Sequence, residues 1–292
     1  MQNETIPTTT PMARSAWRID EIPAYCITLE RRPDRWRRFQ DQMGVRALPR
    51  MRRFFGVDGK TLDIRTDPRV AIFTKRNILL KTRRSHEELD SVGGVGCALS
   101  HIALWQWMVD NNEEMMLVME DDAVVPADFK ERANALIERS PTLSTPSSWD
   151  IWHIGAKWDV TTPMDPPSAG TGLVKPQAFF LLHAYVITKK YAEKMLAEVF
   201  PIQSHIDFWM SYFATIHKRV MVATPKLQLV QYERVTTDIQ TSTVGSPICD
   251  IPTDYWKTHR FVTETEHRLG QVAEVGVVLL GGYLLYKAFF GK

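Results

Sequence analysis

The sequence is poor in cysteine and has little net charge. Its 292 residues include only Cys26, Cys97 and Cys249, too few and too scattered for a disulfide framework or a zinc knuckle. We expect these residues to be buried thiols that serve packing only. The net charge of +2 provides no strong field for a nucleic acid or an acidic partner. The composition therefore excludes the disulfide-rich and strongly nucleic-acid-binding classes.

The first twenty residues lack an apolar run and are polar and threonine-rich. We therefore expect no secretory signal, a disordered arm over residues 1–20, and a reducing compartment that faces the cytosol. With 44% hydrophobic and 24% charged residues, the rest of the chain is typical of a globular protein. We expect a catalytic domain over 21–262 and a linker over 263–270.

One uncharged stretch lies near the C-terminus, from Val275 to Tyr286. It is short for a membrane span, which needs about 20 residues. Lys287 could extend its ammonium group to the lipid headgroups, and tyrosine and phenylalanine suit the interface. We predict an apolar helix that anchors the chain in a membrane through residues 271–290. The alternative is a buried terminal helix whose glycines allow close packing.

Strand-like and helix-like segments alternate along the chain. "AYCITL" (24–29) predicts a first strand, and Pro33 suits the first turn of the helix that follows. "GGVGCALSHIALWQWMVDNNEE" predicts a glycine-rich turn and a helix, and "MMLVM" the next strand. Residues 60–90 are weakly patterned and predict a mobile loop region. The alternation indicates an α/β fold with a mostly parallel central sheet.

An apolar run, Met115–Met119, ends in three adjacent carboxylates, Glu120, Asp121 and Asp122. Like charges in a row resist burial, yet ligands of open α/β sheets bind at the carboxyl ends of strands. A divalent cation would neutralise the cluster, and oxygen ligands favour Mg²⁺ or Mn²⁺ bridging to a phosphate-bearing substrate. A solvated acidic turn is the alternative.

Seven ordered blocks between about residues 22 and 245 resemble glycosyltransferase family 25, which includes lipooligosaccharide and collagen galactosyltransferases. The blocks are "AYCITLERRPDRWRRF", "GGVGCALSHIALW", "LVMEDDAVV", "WDIWHIG", "HAYVITKKYAEKML", "IDFWM" and "TTDIQTS". Seven blocks in order are far more specific than any one of them. One departure is Gly94, where the family commonly has glutamate.

The resemblance implies a GT-A-type nucleotide-sugar fold, Mn²⁺ or Mg²⁺, and inverting transfer of a hexose, typically galactose from UDP-galactose. It implies that Asp122 binds the metal directly, with Glu120 acting through the ribose or a water, and that Asp121 orients the pair. The alternatives are a catalytically degenerate, membrane-tethered protein that binds nucleotide, and a metal-dependent phosphatase. The phosphatase is disfavoured because position 120 is a glutamate, where such enzymes have an aspartate nucleophile.

Nucleotide contacts are implied at the exit of the first strand, for Leu29, Arg31 and Arg35, because arginine forks suit a diphosphate. A solvated helix face is the alternative for the arginines. Ser100 and His101 occupy the family's Ser-His pair, where contacts to phosphate or sugar are expected.

Inversion requires a base that takes the proton of the acceptor hydroxyl. Asp207 matches the family's aspartate at that position, and its alternative role is a helix N-cap. Asp238 is the second candidate, as a base or an acceptor-site residue.

The expected partners are a UDP-sugar donor, a glycan or protein acceptor, and a membrane contacted by the C-terminal segment, with no nucleic acid. The identity of the acceptor, and the choice between galactose and glucose, stay open. We expect the catalytic domain to face the cytosol, as suits a bacterial or viral glycosylation system.

Overall fold

A computed structural model gives the structure of the chain. It describes residues 17–82, 88–155, 157–158, 161–176, 179–217, 221–224, 229–232, 272, 275–276 and 278–287.

Helices and strands alternate through most of the described residues. The strands are β1 Ala24–Thr28, β2 Met51–Phe55, β3 Met115–Glu120, β4 Ala123–Val124, β5 Ile151–His153, β6 Lys157–Trp158, β7 Thr161–Pro163, β8 Val174–Pro176, β9 Phe179–Phe180, β10 Ala184–Thr188, β11 Met221–Ala223 and β12 Gln231–Tyr232. The helices are α1 Pro33–Gln40, α2 Met43–Arg46, α3 Ile72–Leu80, α4 Val92–Asp110, α5 Phe129–Arg139, α6 Lys189–Leu196 and α7 Ile206–Ile216. A short 3₁₀ turn, Gly59–Thr61, follows β2.

Eight of the strands form one mixed sheet in the order β2-β1-β3-β10-β5-β11-β8-β7. The pairs β1–β2, β1–β3 and β5–β11 are parallel, as the sequence pattern predicts. β10 runs antiparallel to both β3 and β5, and β8 runs antiparallel to β11 and β7. The α/β class is confirmed, but the parallel character is limited to part of the sheet.

The central strand β3 is apolar from Met115 to Met119, so this part can be buried on both faces. Met116 and Val118 face one core, against α4, α6 and α7. Leu117 and Met119 face the other core, which includes Phe39 of α1 and residues of α5. Glu120, at the end of β3, is the first residue of the strand that is not fully buried. The two-sided core therefore fixes the position of the acidic run at one edge of the sheet.

Helix α4 approaches the loop after β2 very closely. Its N-cap is Ser91, whose Oγ accepts a hydrogen bond from the N–H of Gly94 at 3.1 Å. A Cβ atom at Gly96 would lie 2.6 Å from the backbone nitrogen of Gly59 and 2.6 Å from the carbonyl oxygen of Val57. Glycine is therefore required at position 96 for the two segments to meet.

The structure corrects three of the expectations. Residues 72–80 of the expected loop region form helix α3. "AFFLLHAYVIT" is divided into β9 and β10, because Leu181 lies between them with a φ of 71°. Trp17 and Ile19, at the end of the expected disordered arm, are buried in the core beside α5, while residues 1–16 lie outside the described residues.

The predicted anchor, residues 271–290, is described in part. Val278–Lys287 forms an apolar helix shorter than a membrane span. Among the described residues, one helix, α4, is long and apolar enough to cross a membrane. The apolar stretch of α4 is 61% buried inside the domain, as is typical of a core helix. Helix α4 is therefore not evidence for membrane insertion.

Candidate active site

An open cleft lies at the carboxyl ends of β1 and β3, between the loop after β2 and the start of α4. Its volume is about 140 Å³. Eight of the ten candidate residues line this one cleft: Leu29, Arg31, Arg35, Ser100, His101, Glu120, Asp121 and Asp122. These residues come from three separate segments of the sequence, and the sheet edge brings them together.

The acidic run is held by one nearly buried arginine. Arg35 Nη2 lies 2.8 Å from Asp121 Oδ1 and 3.8 Å from Asp122 Oδ2. Burial raises the pKa of Asp121, and the positive charge of Arg35 opposes that effect. One guanidinium thus faces two carboxylates, with Glu120 close by, so the cluster keeps excess negative charge.

Asp122 is the carboxylate whose charge is least compensated. Its Oδ1 atom is buried and has no hydrogen-bond partner, although the side chain as a whole is 25% exposed. Burial, followed by the negative charge of Glu120, raises the pKa of Asp122 to about 7. An unpartnered buried carboxylate oxygen is unfavourable unless a cation binds it. The position of Asp122 therefore fits a divalent metal ligand.

Glu120 is held from behind by a chain of buried hydrogen bonds. Its Oε1 lies 3.1 Å from His101 Nε2, and His101 Nδ1 lies 2.9 Å from the Tyr185 hydroxyl. The indole N–H of Trp105 donates to the same hydroxyl at 2.9 Å. Burial is the largest influence and raises the pKa of Glu120, but the hydrogen bond from His101 together with the electrostatic effects of His101, His183 and Arg35 outweighs it, so the net pKa is lowered.

One arrangement of protons satisfies the donors and acceptors of this chain in the metal-free protein. The Trp105 indole can only donate, so the Tyr185 oxygen accepts from it, and Tyr185 can donate its own proton to His101 Nδ1. An ionised Glu120 can only accept, so His101 carries its proton on Nε2 and donates it there. A neutral His101 in this tautomer satisfies every member of the chain.

Two of the expected nucleotide contacts also make structural hydrogen bonds. Ser100 Oγ donates to the carbonyl of Gly96 at 2.6 Å and accepts from the N–H of Val57 at 2.8 Å. This joins α4 to the loop after β2. Arg31 Nε donates to Asp58 Oδ2 at 2.5 Å, and Asp58 also accepts from the N–H of Lys60. Asp58 therefore orients Arg31 at the mouth of the cleft.

The structure places Asp207 outside the residues that line the cleft. It is 7% exposed, on the first turn of α7, and burial raises its pKa. Its Oδ2 accepts from the N–H of Leu181 at 3.0 Å, and Oδ1 accepts from the N–H of Phe208 at 2.8 Å. The Leu181 contact joins α7 to the junction between β9 and β10. Asp238 lies outside the described residues.

The sequence pattern did not single out four residues that complete the site. Asp58 and Lys60 line the cleft, whereas the pattern indicates only a turn at Asp58-Gly59. Tyr185 and Trp105 support His101 from the core, where alternating apolar residues indicate packing alone. No local signal separates a tyrosine that packs from one that also carries a buried hydrogen-bond chain.

Gly94, which replaces the family's usual glutamate, lies in a filled space. A Cβ atom there would stand 2.4 Å from Cδ2 of Leu89, which is fully buried. A glutamate at position 94 therefore requires Leu89 to move.

The first half of the chain matches a known protein family. Residues 21–163 match the model of glycosyltransferase family 25 (LPS biosynthesis protein). The chain is 27% identical over 203 residues to a glycosyltransferase 25 family member of Anopheles gambiae, with 65% of this chain and 33% of that protein covered. It is 29% identical over 150 residues to procollagen galactosyltransferase 1 of Danio rerio, covering 46% and 24%.

A third relative, from Rattus norvegicus, is named a probable inactive glycosyltransferase 25 family member 3. It is 28% identical over 189 residues, with 64% of this chain and 31% of that protein covered. The chain spans about a third or less of the length of these relatives. The matched region contains β1, the whole of α4 and the acidic run after β3. Residues 21–163 of the chain thus form a glycosyltransferase family 25 region.

Proposed function

We propose that this protein is a metal-dependent, inverting glycosyltransferase that moves a hexose, galactose in the first instance, from a UDP-sugar to a hydroxyl of a glycan or protein. The observation that carries this proposal is the buried, unpartnered Oδ1 of Asp122 in a cleft that also holds two arginines. A site built from carboxylates and guanidinium groups matches a diphosphate with its divalent cation.

Asp122 would bind the cation directly, and Glu120 would stand beside it, held by His101. Mn²⁺ or Mg²⁺, when bound, would supply Lewis-acid stabilisation of the diphosphate that leaves the sugar. Arg35 holds Asp121 in place at 2.8 Å. Arg31, whose side chain is 35% exposed beside Asp58, is available to contact a phosphate.

Asp207 remains our candidate for the base. A carboxylate has about four lone-pair positions, so the two backbone N–H groups that it accepts leave others for a proton. Its raised pKa brings it nearer to the working range of a general base. The competing role is positional, because Leu181 is held in an unusual backbone conformation by this carboxylate.

The degenerate alternative has two observations in its favour. Gly94 replaces the family's glutamate, and a relative of similar identity is named probably inactive. The intact set of Glu120, Asp121 and Asp122 in the cleft favours catalysis.

The screen that tests the proposal measures hydrolysis and transfer for a set of UDP-sugars, with Mn²⁺, with Mg²⁺ and with excess chelator. We expect UDP-galactose turnover that requires the metal and is lost in Asp122→Asn. The matched control is Asp128→Asn. It changes an exposed carboxylate just before α5 and should keep full activity. Metal binding without any turnover, across all donors and acceptors offered, would favour the degenerate alternative.

We also propose that residues 271–290 attach the protein to a membrane, with the catalytic domain on the cytosolic side. The large apolar side chains of the helix Val278–Lys287 are exposed, from 55% for Leu284 to 72% for Val278. An exposed apolar surface of this kind is typical of a segment that contacts lipid or another protein.

A further inference from the structure

Three potential metal ligands meet at the back of the cleft, and they offer a sulfur, a nitrogen and an oxygen atom rather than oxygen atoms alone. Cys97 and His101 are four residues apart on α4, so their side chains lie on the same face of the helix. Glu120 reaches them from the end of β3. One ligand atom from each residue lies within 4.8 Å of the other two.

We propose that Cys97, His101 and Glu120 form a second metal site, which takes a thiophilic divalent cation such as Zn²⁺. A thiolate, an imidazole and a carboxylate are ligands that zinc combines readily, whereas Mg²⁺ and Mn²⁺ prefer oxygen alone. This proposal stands on the geometry of these three side chains and does not depend on transferase activity.

The spacing fits a tetrahedral ion with modest side-chain movement. Zinc bonds of about 2.0–2.3 Å place neighbouring ligand atoms roughly 3.5 Å apart. His101 Nε2 and Glu120 Oε1 are already 3.1 Å apart, so an ion would separate them slightly and draw in the Cys97 sulfur. On binding, the thiol proton would leave to solvent and the His101 proton would move from Nε2 to Nδ1. All three residues line the cleft, which gives the ion a path to the site.

The buried side of the site is already arranged for a metal-binding histidine. Such a histidine commonly donates its other ring N–H to a fixed acceptor, which sets the orientation of the ring. The Tyr185 oxygen lies 2.9 Å from His101 Nδ1 and has a second lone pair beyond the one used by Trp105. The imidazole can therefore shift its proton to Nδ1 without turning.

A cation at this site would share Glu120 with the proposed donor-site metal. This consequence rests on the proposed function: Zn²⁺ would inhibit transfer because it withdraws Glu120 from the donor site. The direct test of the site uses the cations alone.

The experiment titrates the full-length protein with Co²⁺ and records the thiolate-to-cobalt charge-transfer absorption, followed by displacement with Zn²⁺. We expect this absorption in the wild type and its loss in Cys97→Ser. Removing a supporting partner of a metal ligand typically weakens affinity about 10–100-fold, so losing a direct ligand should weaken Zn²⁺ binding at least 10-fold. Cys26→Ser and Cys249→Ser are the matched controls and should keep the absorption.

Absence of the absorption in the wild type, or its persistence in Cys97→Ser, overturns the proposal. Circular dichroism of Cys97→Ser, with Cys97→Ala as a second variant, verifies that the fold is retained. Asp122→Asn separates this proposal from the proposed function: the cobalt absorption should remain while the Mn²⁺-dependent activity is lost. Loss of the absorption in Asp122→Asn would show a single shared site and reject the second one.

Discussion

Replacing Asp122 by asparagine should make the metal-free protein more stable while it removes transfer. The substitution keeps the size of the side chain but removes a negative charge that lies close to Glu120, with Arg35 3.8 Å away. The pKa of Asp122 rises from an ordinary value of 3.8 to about 7. At ~1.4 kcal/mol for each tenfold change in acidity, such a rise corresponds to roughly 4 kcal/mol. Because the side chain is 25% exposed, solvent reduces this figure, and we expect a gain of about 1–3 kcal/mol.

The sign of the pH dependence follows from the raised pKa. The folded protein holds the Asp122 proton to higher pH than the unfolded chain does. The contribution of Asp122 to the free energy of unfolding therefore falls as the pH rises from about 4 to 7, and the loss is complete above 7. The stability advantage of Asp122→Asn should be close to zero near pH 4 and largest at pH 8.

Urea unfolding in the presence of chelator, at pH 5 and pH 8, measures this difference. Adding Mn²⁺ at pH 8 should stabilise the wild type and leave Asp122→Asn unchanged, because only the wild type retains the ligand. Asp128→Asn serves as the control at an exposed position. The reasoning is refuted if Asp122→Asn is less stable than the wild type at pH 8 without metal.

Three further predictions concern the supporting residues and the C-terminal segment. Tyr185→Phe should weaken Mn²⁺ binding about 10-fold or more and change the His101 tautomer seen by ¹⁵N NMR, because the Nδ1 partner is lost; Tyr191→Phe, which removes a buried hydroxyl bonded to the Met210 carbonyl, should change neither. Asp207→Asn should lower kcat roughly 10²-fold. It should also lower the free energy of unfolding by about 1–3 kcal/mol, since an amide oxygen cannot serve both N–H donors; an unchanged kcat in the folded variant contradicts the base role. Full-length protein should fractionate with membranes and a version ending at Gly270 should not; equal solubility of the two rejects the anchor.

Sequence patterns predicted the elements around the cleft well, because their signals are local. Pro33 begins α1, Asn111 ends α4, and the apolar run before Glu120 forms β3. The features that the sequence patterns did not predict depend on contacts between segments that are distant in the sequence. The antiparallel placement of β10 depends on pairing with β3 and β5, and an apolar strand has the same pattern in either direction.

The candidate site shows the same division. Clustering of eight candidates in one cleft followed from ordered blocks at strand ends and a helix start. The partners of those candidates did not follow, because Asp58, Tyr185 and Trp105 meet Arg31 and His101 only through the tertiary structure. Asp207 illustrates the limit most clearly: an aspartate at a helix start is compatible with a base or a cap, and neither role predicts its hydrogen bond with the Leu181 N–H.

The antiparallel strand β10 limits how far the chain can be shortened at its C-terminal side and still fold alone. β3 has β1 on one side and β10 on the other, and β10 begins at Ala184, beyond the matched region that ends at residue 163. A fragment limited to residues 21–163 would expose the unpaired edge of the apolar strand β3, which is a template for aggregation. During synthesis, this edge of β3 would likewise stay unpaired until β10 has been synthesised up to Thr188. Any excised domain should therefore include β10 to be soluble.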